Sequence, residues 1–221
     1  MLGFSFKNYT LFPKKHPDKK DISHFWFILI LPVYLISFFA VEALITDNYW
    51  VSYMAVDDLI PFIEWFLIPY YLWYPFMGIM GVYLLFADAD GFRKFMSFIG
   101  LSFMTAIAIF LIFPNGQDLR PEVFQRDNIL TRAIAGLYRV DTNTNVLPSL
   151  HVVGSLAVPF AAQNNKRLNK PWGLAILYFI AILISASTVF IKQHSLLDGI
   201  VAVPFAIIFY IIVYKIIYKE K

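Results

Sequence analysis

Apolar residues run through this chain in blocks of about twenty, broken by short stretches where lysine, arginine, aspartate, asparagine and proline collect. A helix rises about 1.5 Å per residue, so about twenty apolar residues cross the roughly 30 Å hydrocarbon core of a bilayer. The blocks predict long helices over about residues 25–45, 66–87, 95–113, 172–191 and 196–218, and a shorter one over about 149–163. The expected fold is all-α: a polytopic integral membrane protein with six transmembrane helices in one bundle. Residues 1–24 read as a polar, lysine-bearing tail, and residues 25–221 as a single six-helix membrane domain. No small-residue cleavage site follows the first block, so it reads as a first span and not as a signal peptide. Residues 49–65 are rich in tyrosine and tryptophan, with Asp57, Asp58 and Glu64 among them. They read either as an amphipathic helix in the interface or as an extension of the second span.

Composition agrees with the pattern. Of 221 residues, 59% are hydrophobic, and the mean hydropathy of +0.65 is too high for an ordinary soluble domain. There is no cysteine, which excludes disulfides, thiol catalysis and cysteine-ligated metal. Charge matters through its distribution. Thirteen of the 18 lysines and arginines fall in the N-terminal tail, the second-to-third connection, the fourth-to-fifth connection and the C-terminus. Under six spans these segments share one side, which the positive-inside rule makes cytoplasmic. Both termini are then expected in the cytoplasm.

The chemistry is expected on the other face. Two of the four histidines, His16 and His24, belong to the tail; the others fall at ends of apolar blocks. His151 closes Pro148-Ser149-Leu150-His151, and His194 opens His194-Ser195-Leu196-Leu197-Asp198. Ionisable groups beside a membrane span are costly and mark either a site or a paired structural contact. His194 and Asp198 are four apart, so they stack on one helix face, and the carboxylate can hold one imidazole nitrogen and leave the other nucleophilic. A metal site lacks a third ligand at helical spacing. Pro148 and Ser149 suit a helix start, whose free N–H groups favour a phosphate; ordinary helix initiation uses the same residues. Arg120, before Pro121 in the long 114–148 connection, has the fork geometry for phosphate oxygens, or is a solvated loop residue. Arg126, Arg132 and Arg139 fit the solvated reading better, because Asp127, Glu122 and Asp141 lie near them. Lys192 is either a second phosphate clamp or an anchor reaching the headgroups.

These three strings, in this order, resemble the type 2 phosphatidic acid phosphatase superfamily. Its motifs are a lysine, six residues and Arg-Pro; then Pro-Ser-Gly-His; then Ser-Arg, five residues, His, three residues and Asp. Arg120-Pro121 matches the end of the first. Pro148, Ser149 and His151 match the second, with Leu150 in place of glycine. Ser187, His194 and Asp198 match the third at its spacing. The motif-bearing core covers about residues 95–215. Two cationic positions depart: Phe113 stands where the first-motif lysine would fall, and Thr188 where the third-motif arginine would. The run Ser187 to His194 is similar to the inositol phosphorylceramide synthase branch, in which Lys192 replaces a missing cation.

The resemblance implies His194 as nucleophile through a phosphohistidine, Asp198 as its orienting partner and His151 as general acid and base. It implies Arg120, Ser149 and Lys192 as phosphate-binding residues, with no metal and no cofactor. The partner it implies is a membrane lipid substrate, with no nucleic acid. Three functions follow: a lipid phosphatase, a lipid phosphotransferase, or a non-catalytic phospholipid carrier. The expected setting is the plasma membrane, with the site on the extracytoplasmic face.

Overall fold

A computed structural model describes residues 22–219. The expected tail lies outside the described residues as far as residue 21. Its last two residues, Ser23 and His24, instead open the first helix, and His24 is buried with Nε2 3.1 Å from the Leu85 carbonyl.

The described residues form seven helices and one two-strand ladder. The helices are α1 (Ser23–Leu44, its first turns 3-10), α2 (Glu64–Ala87), α3 (Ala89–Ile112), α4 (Ile129–Val140), α5 (Leu150–Gln163), α6 (Pro171–Phe190) and α7 (Leu196–Ile217). Strands β1 (Trp50–Val51) and β2 (Asn115–Gly116) pair in parallel. Five helices (α1, α2, α3, α6 and α7) are long and apolar enough to cross a bilayer, and α5 is the shorter apolar helix. The chain is an all-α integral membrane bundle.

Helix α5 is its axis. It packs on α6, α3, α7 and α2, and eleven of its 14 residues are buried. Gly154, Ser155, Ala157, Ala161 and Ala162 make this possible, because small residues let neighbouring backbones approach in an apolar medium. Its length is about 21 Å, against about 30 Å for α6. The two helices meet through a short turn at the lysine-rich end, so the N-terminus of α5, with His151, stops roughly 9 Å short of the far end of α6. That recess holds the site.

Two expectations for the connections are corrected. Residues 49–65 form neither an interfacial α-helix nor a continuation of α2. They carry β1 and a 3-10 turn (Ala55–Leu59), and only Glu64–Phe66 leads into α2. Every backbone group there needs a partner, and β1 finds it in the distant 114–148 connection: Trp50 N–H donates to the Pro114 carbonyl and Ser52 N–H to that of Gly116. The second correction is α4, a helix inside the long 114–148 connection. Asn128 caps it by accepting from the N–H groups of Leu130 (2.9 Å) and Thr131 (3.0 Å). Thr131, Ile134 and Leu137 form its buried stripe. That cap and a spacing of three were the available signal, weakened by Gly136 and by polar residues on both sides.

Candidate active site

The turn between α6 and α7 sets the geometry. Helix α6 ends in a Schellman motif: Gln193 N–H donates to the Thr188 carbonyl (2.8 Å) and Lys192 N–H to that of Val189 (3.1 Å). The residue at the left-handed position is Lys192, with φ 56°. Helix α7 then opens with a capping box, in which Ser195 accepts from Leu197 N–H and Asp198 Oδ2 accepts from Ser195 N–H (2.9 Å). His194 alone lies between the two caps.

The same Asp198 oxygen meets His194 Nδ1 at 3.1 Å. Its other oxygen accepts from the hydroxyl of Ser52, which follows β1. Both Asp198 and Ser52 are 0% exposed. The carboxylate is thus held on both oxygens and fixes the imidazole, leaving Nε2 as the nitrogen available for chemistry. Asp57, in the 3-10 turn, extends this support. Its carboxylate accepts from the Ser195 hydroxyl (2.6 Å) and from Leu196 N–H (2.8 Å), which adds a negative group at the N-terminus of α7. Sequence reasoning missed Ser52 and Asp57, since nothing local marks a partner more than 130 residues away.

His151 approaches from α5. Ser149 is the N-cap, buried, with its own N–H on the Asp198 carbonyl (3.3 Å) and its Oγ accepting from Val152 N–H (3.5 Å). The preceding Leu147–Pro148 peptide is cis. The His151 ring stacks on Tyr70 (centroids 4.4 Å apart) and leans on Trp73 (4.8 Å), and its Nε2 is buried without a hydrogen-bond partner. The His151 and His194 rings are 6.0 Å apart. They line one cavity of about 160 Å³ with Thr142, Thr144, Asn145, Gln193 and Asp141.

Beside the dyad lies a second polar group. Arg120 donates to the carbonyls of Tyr138 (3.0 Å), Asp141 (2.6 Å) and Thr142 (2.6 Å), and to Gln193 Oε1 (2.5 Å), with its guanidinium 4.2 Å from the Tyr138 ring centre. Gln193 Nε2 donates to Asp141 Oδ2 (3.0 Å), which also accepts from the Tyr70 hydroxyl (2.6 Å). Thr142 donates its N–H and hydroxyl to Glu42 of α1. This latch ties the long connection to α1, α2 and the turn before His194.

The six sequence-predicted residues therefore separate. His194, Asp198, His151 and Ser149 come together. Of the three residues expected to bind phosphate, Arg120, Ser149 and Lys192, none lines the cavity. Arg120 is engaged in the latch, where burial lowers its pKa against the pull of Asp141. Lys192 turns its ammonium onto the Asp57 carbonyl at 2.8 Å, and burial lowers its pKa against the pull of Asp57 and Asp58. Phe113 packs on Trp50 (5.5 Å), and the Thr188 hydroxyl returns to the Ser185 carbonyl (2.8 Å), so neither supplies a phosphate donor. Of the loop arginines, Arg126 pairs with Glu64 (3.1 Å) and Arg132 with Asp127 (2.7 Å). Asp141 serves the latch and not Arg139. Among the described residues no group of three histidine, aspartate or glutamate side chains comes together at metal-binding spacing.

A recessed histidine–carboxylate dyad facing a second histidine, inside an apolar helical bundle, is the candidate site for group-transfer chemistry. The family comparison agrees. The model of the PAP2 superfamily matches residues 97–221, more than half the chain, and the protein belongs to that superfamily. No curated protein and no solved structure matches the chain. Membership carries phosphatase-type or related phosphotransferase chemistry on lipid-related substrates.

Proposed function

We propose that the protein hydrolyses a lipid phosphate through a phosphohistidine on His194. The observation that carries this reading is the contact of His194 Nδ1 with Asp198, which presents the opposite nitrogen to a cavity shared with His151. In the first step Nε2 of His194 bonds to phosphorus as the bond to the lipid oxygen breaks, and His151 gives that oxygen its proton. In the second, His151 takes a proton from water as water attacks phosphorus and releases His194. Asp198 stabilises the imidazolium character in between. The first-turn N–H groups of α5 meet charge on the phosphoryl oxygens. Water is favoured as acceptor by size: about 160 Å³ is well below the roughly 300 Å³ at which sites for larger ligands begin.

One observation favours a second reading, transfer of a phospho-headgroup to a lipid hydroxyl. The cavity wall offers hydroxyls, amides and one carboxylate, and neither lysine nor arginine lines it. A singly charged diester is held there at lower electrostatic cost than a doubly charged monoester. Purified protein given either a lipid phosphate or a phosphodiester lipid, each with and without a lipid alcohol, separates the two. Free phosphate supports hydrolysis, a new phospholipid supports transfer, and neither product leaves the carrier reading.

The basic-residue bias supports an extracytoplasmic site with cytoplasmic termini. In this cysteine-free chain, a cysteine placed in the 114–148 connection should react with an impermeant thiol reagent from outside, and one at Lys166 should not. The reverse pattern would overturn the orientation.

A further inference from the structure

A second cavity adjoins the histidine cavity. Its volume is about 450 Å³, and its wall is almost wholly apolar. Helices α1 and α2 pack on α3 far more than on each other. The space between them is therefore a trough, with Ile28 and Leu31 on one wall, α2 as the other, and Phe95 and Ile99 of α3 in the floor. Tyr74, Gly78, Gly81 and Leu85 recur at helical spacing and place one stripe of α2 along it. Three residues, Tyr34, Trp73 and Tyr74, line both this trough and the cavity of His151 and His194. The two spaces therefore lie side by side and share these three side chains as a wall.

The glycines point to an occupant. Glycine inside a helix costs about 1 kcal/mol relative to alanine, and close helix packing is the common reason to keep it. That reason is absent at Gly78, where an added Cβ would meet nothing within 4 Å. At Gly81 it would make only an ordinary contact, 3.5 Å from Phe95. The missing side chains keep the trough open. Gly154 of α5 is the opposite case, because a Cβ there would lie 2.7–2.8 Å from Met77 and Trp73. That notch lets Trp73 sit against α5, beside His151, in the wall that the two spaces share.

Dimensions choose between occupants. From Tyr74 to Leu85 the trough runs about 17 Å, close to the roughly 15 Å of one leaflet's hydrocarbon. A trough of that length, left open at Gly78 and walled almost wholly by apolar side chains, matches one extended hydrocarbon chain. We infer that the α1–α2–α3 trough binds a single hydrocarbon chain of the lipid whose phosphate enters the histidine cavity, and so selects substrates by chain length. This rests on the reading of that cavity as the phosphoryl-transfer site.

The test has two arms. In the first, a long-chain lipid phosphate bearing a mid-chain diazirine is photolysed with the purified protein. Adducts are expected within residues 78–85 and 92–99, and to vanish in Gly78→Leu and in Val82→Trp, the latter at the exposed rim and outside the packed core. In the second arm, both variants should lower kcat/KM for dipalmitoyl phosphatidic acid at least about tenfold, the equivalent of leaving two methylene groups unburied. Activity of Val82→Trp, about 12 Å along the trough from Tyr74, should stay within about twofold on the dioctanoyl lipid, and Ile79→Trp, on the lipid-facing side of α2, should change neither. Adducts elsewhere, or an equal fall on both lipids in Val82→Trp, would overturn the trough. If the wild type yields no product from any lipid, the functional reading fails, and the adduct map still decides the trough.

Discussion

Two polar groups sit side by side at the recessed end of the bundle, and they treat their charges in opposite ways. In the dyad, Asp198 is saturated while the imidazole it holds keeps one nitrogen uncommitted. In the latch, the two terminal nitrogens of Arg120 are spent on three carbonyls and an amide, and its Nε is buried without a partner away from the cavity lining. Both look equally catalytic as residue types. On the proposed mechanism, what separates a reacting group from a structural one is unspent hydrogen-bonding capacity directed at a cavity.

The largest test of that contrast is on the dyad side. His194→Ala should cut turnover by about three orders of magnitude or more, far beyond any loss of folded protein, because Asp198 keeps its contacts with Ser52 and Ser195. Asp198→Asn should cost roughly 10²–10³-fold, since the amide oxygen can still cap α7 but no longer stabilises an imidazolium. Near-normal turnover in purified His194→Ala would end the mechanism. Arg120→Met should behave differently. It strands buried carbonyls, so it should lower stability by about 2 kcal/mol or more, and activity should fall in step with folded protein. Full stability with abolished activity would instead make Arg120 a phosphate ligand and dissolve the contrast.

Ser52→Ala sharpens the dyad side further. It removes one hydroxyl from a buried carboxylate, for which about a tenfold loss in kcat is expected, with little change in KM. The smallest effect belongs to Lys192. Lys192→Gly relieves the left-handed backbone by about 1 kcal/mol and gives up the contact with Asp57. Less than about threefold change in kcat/KM is expected; a loss above about thirtyfold would return Lys192 to the phosphate.

The long spans were legible because apolar length is a direct consequence of bilayer thickness. The pairing of His194 with Asp198 was legible because a spacing of four is a property of any helix, and Ser149 because caps are local. What stayed hidden was set by distance. Ser52 and Asp57 reach α7 from a connection with no periodicity, and the decision to spend Arg120 on the latch depends on where Tyr138 and Thr142 fold. Asp141 was assigned to Arg139 by proximity in sequence. The fold gives it to Tyr70 and Gln193.

The paired caps around His194 act as a ruler. The Schellman turn closes α6 through Gln193 and the capping box opens α7 at Ser195, so the chain has one residue in which to change direction. His194 N–H is itself bound to the Thr188 carbonyl, 3.1 Å away, and cannot slide along the turn. The count from Ser187 to His194 to Asp198 is thus a measured length, enforced at both ends by hydrogen bonds. One residue more or fewer between Thr188 and Ser195 would leave every side chain present and the imidazole aimed at the wrong wall.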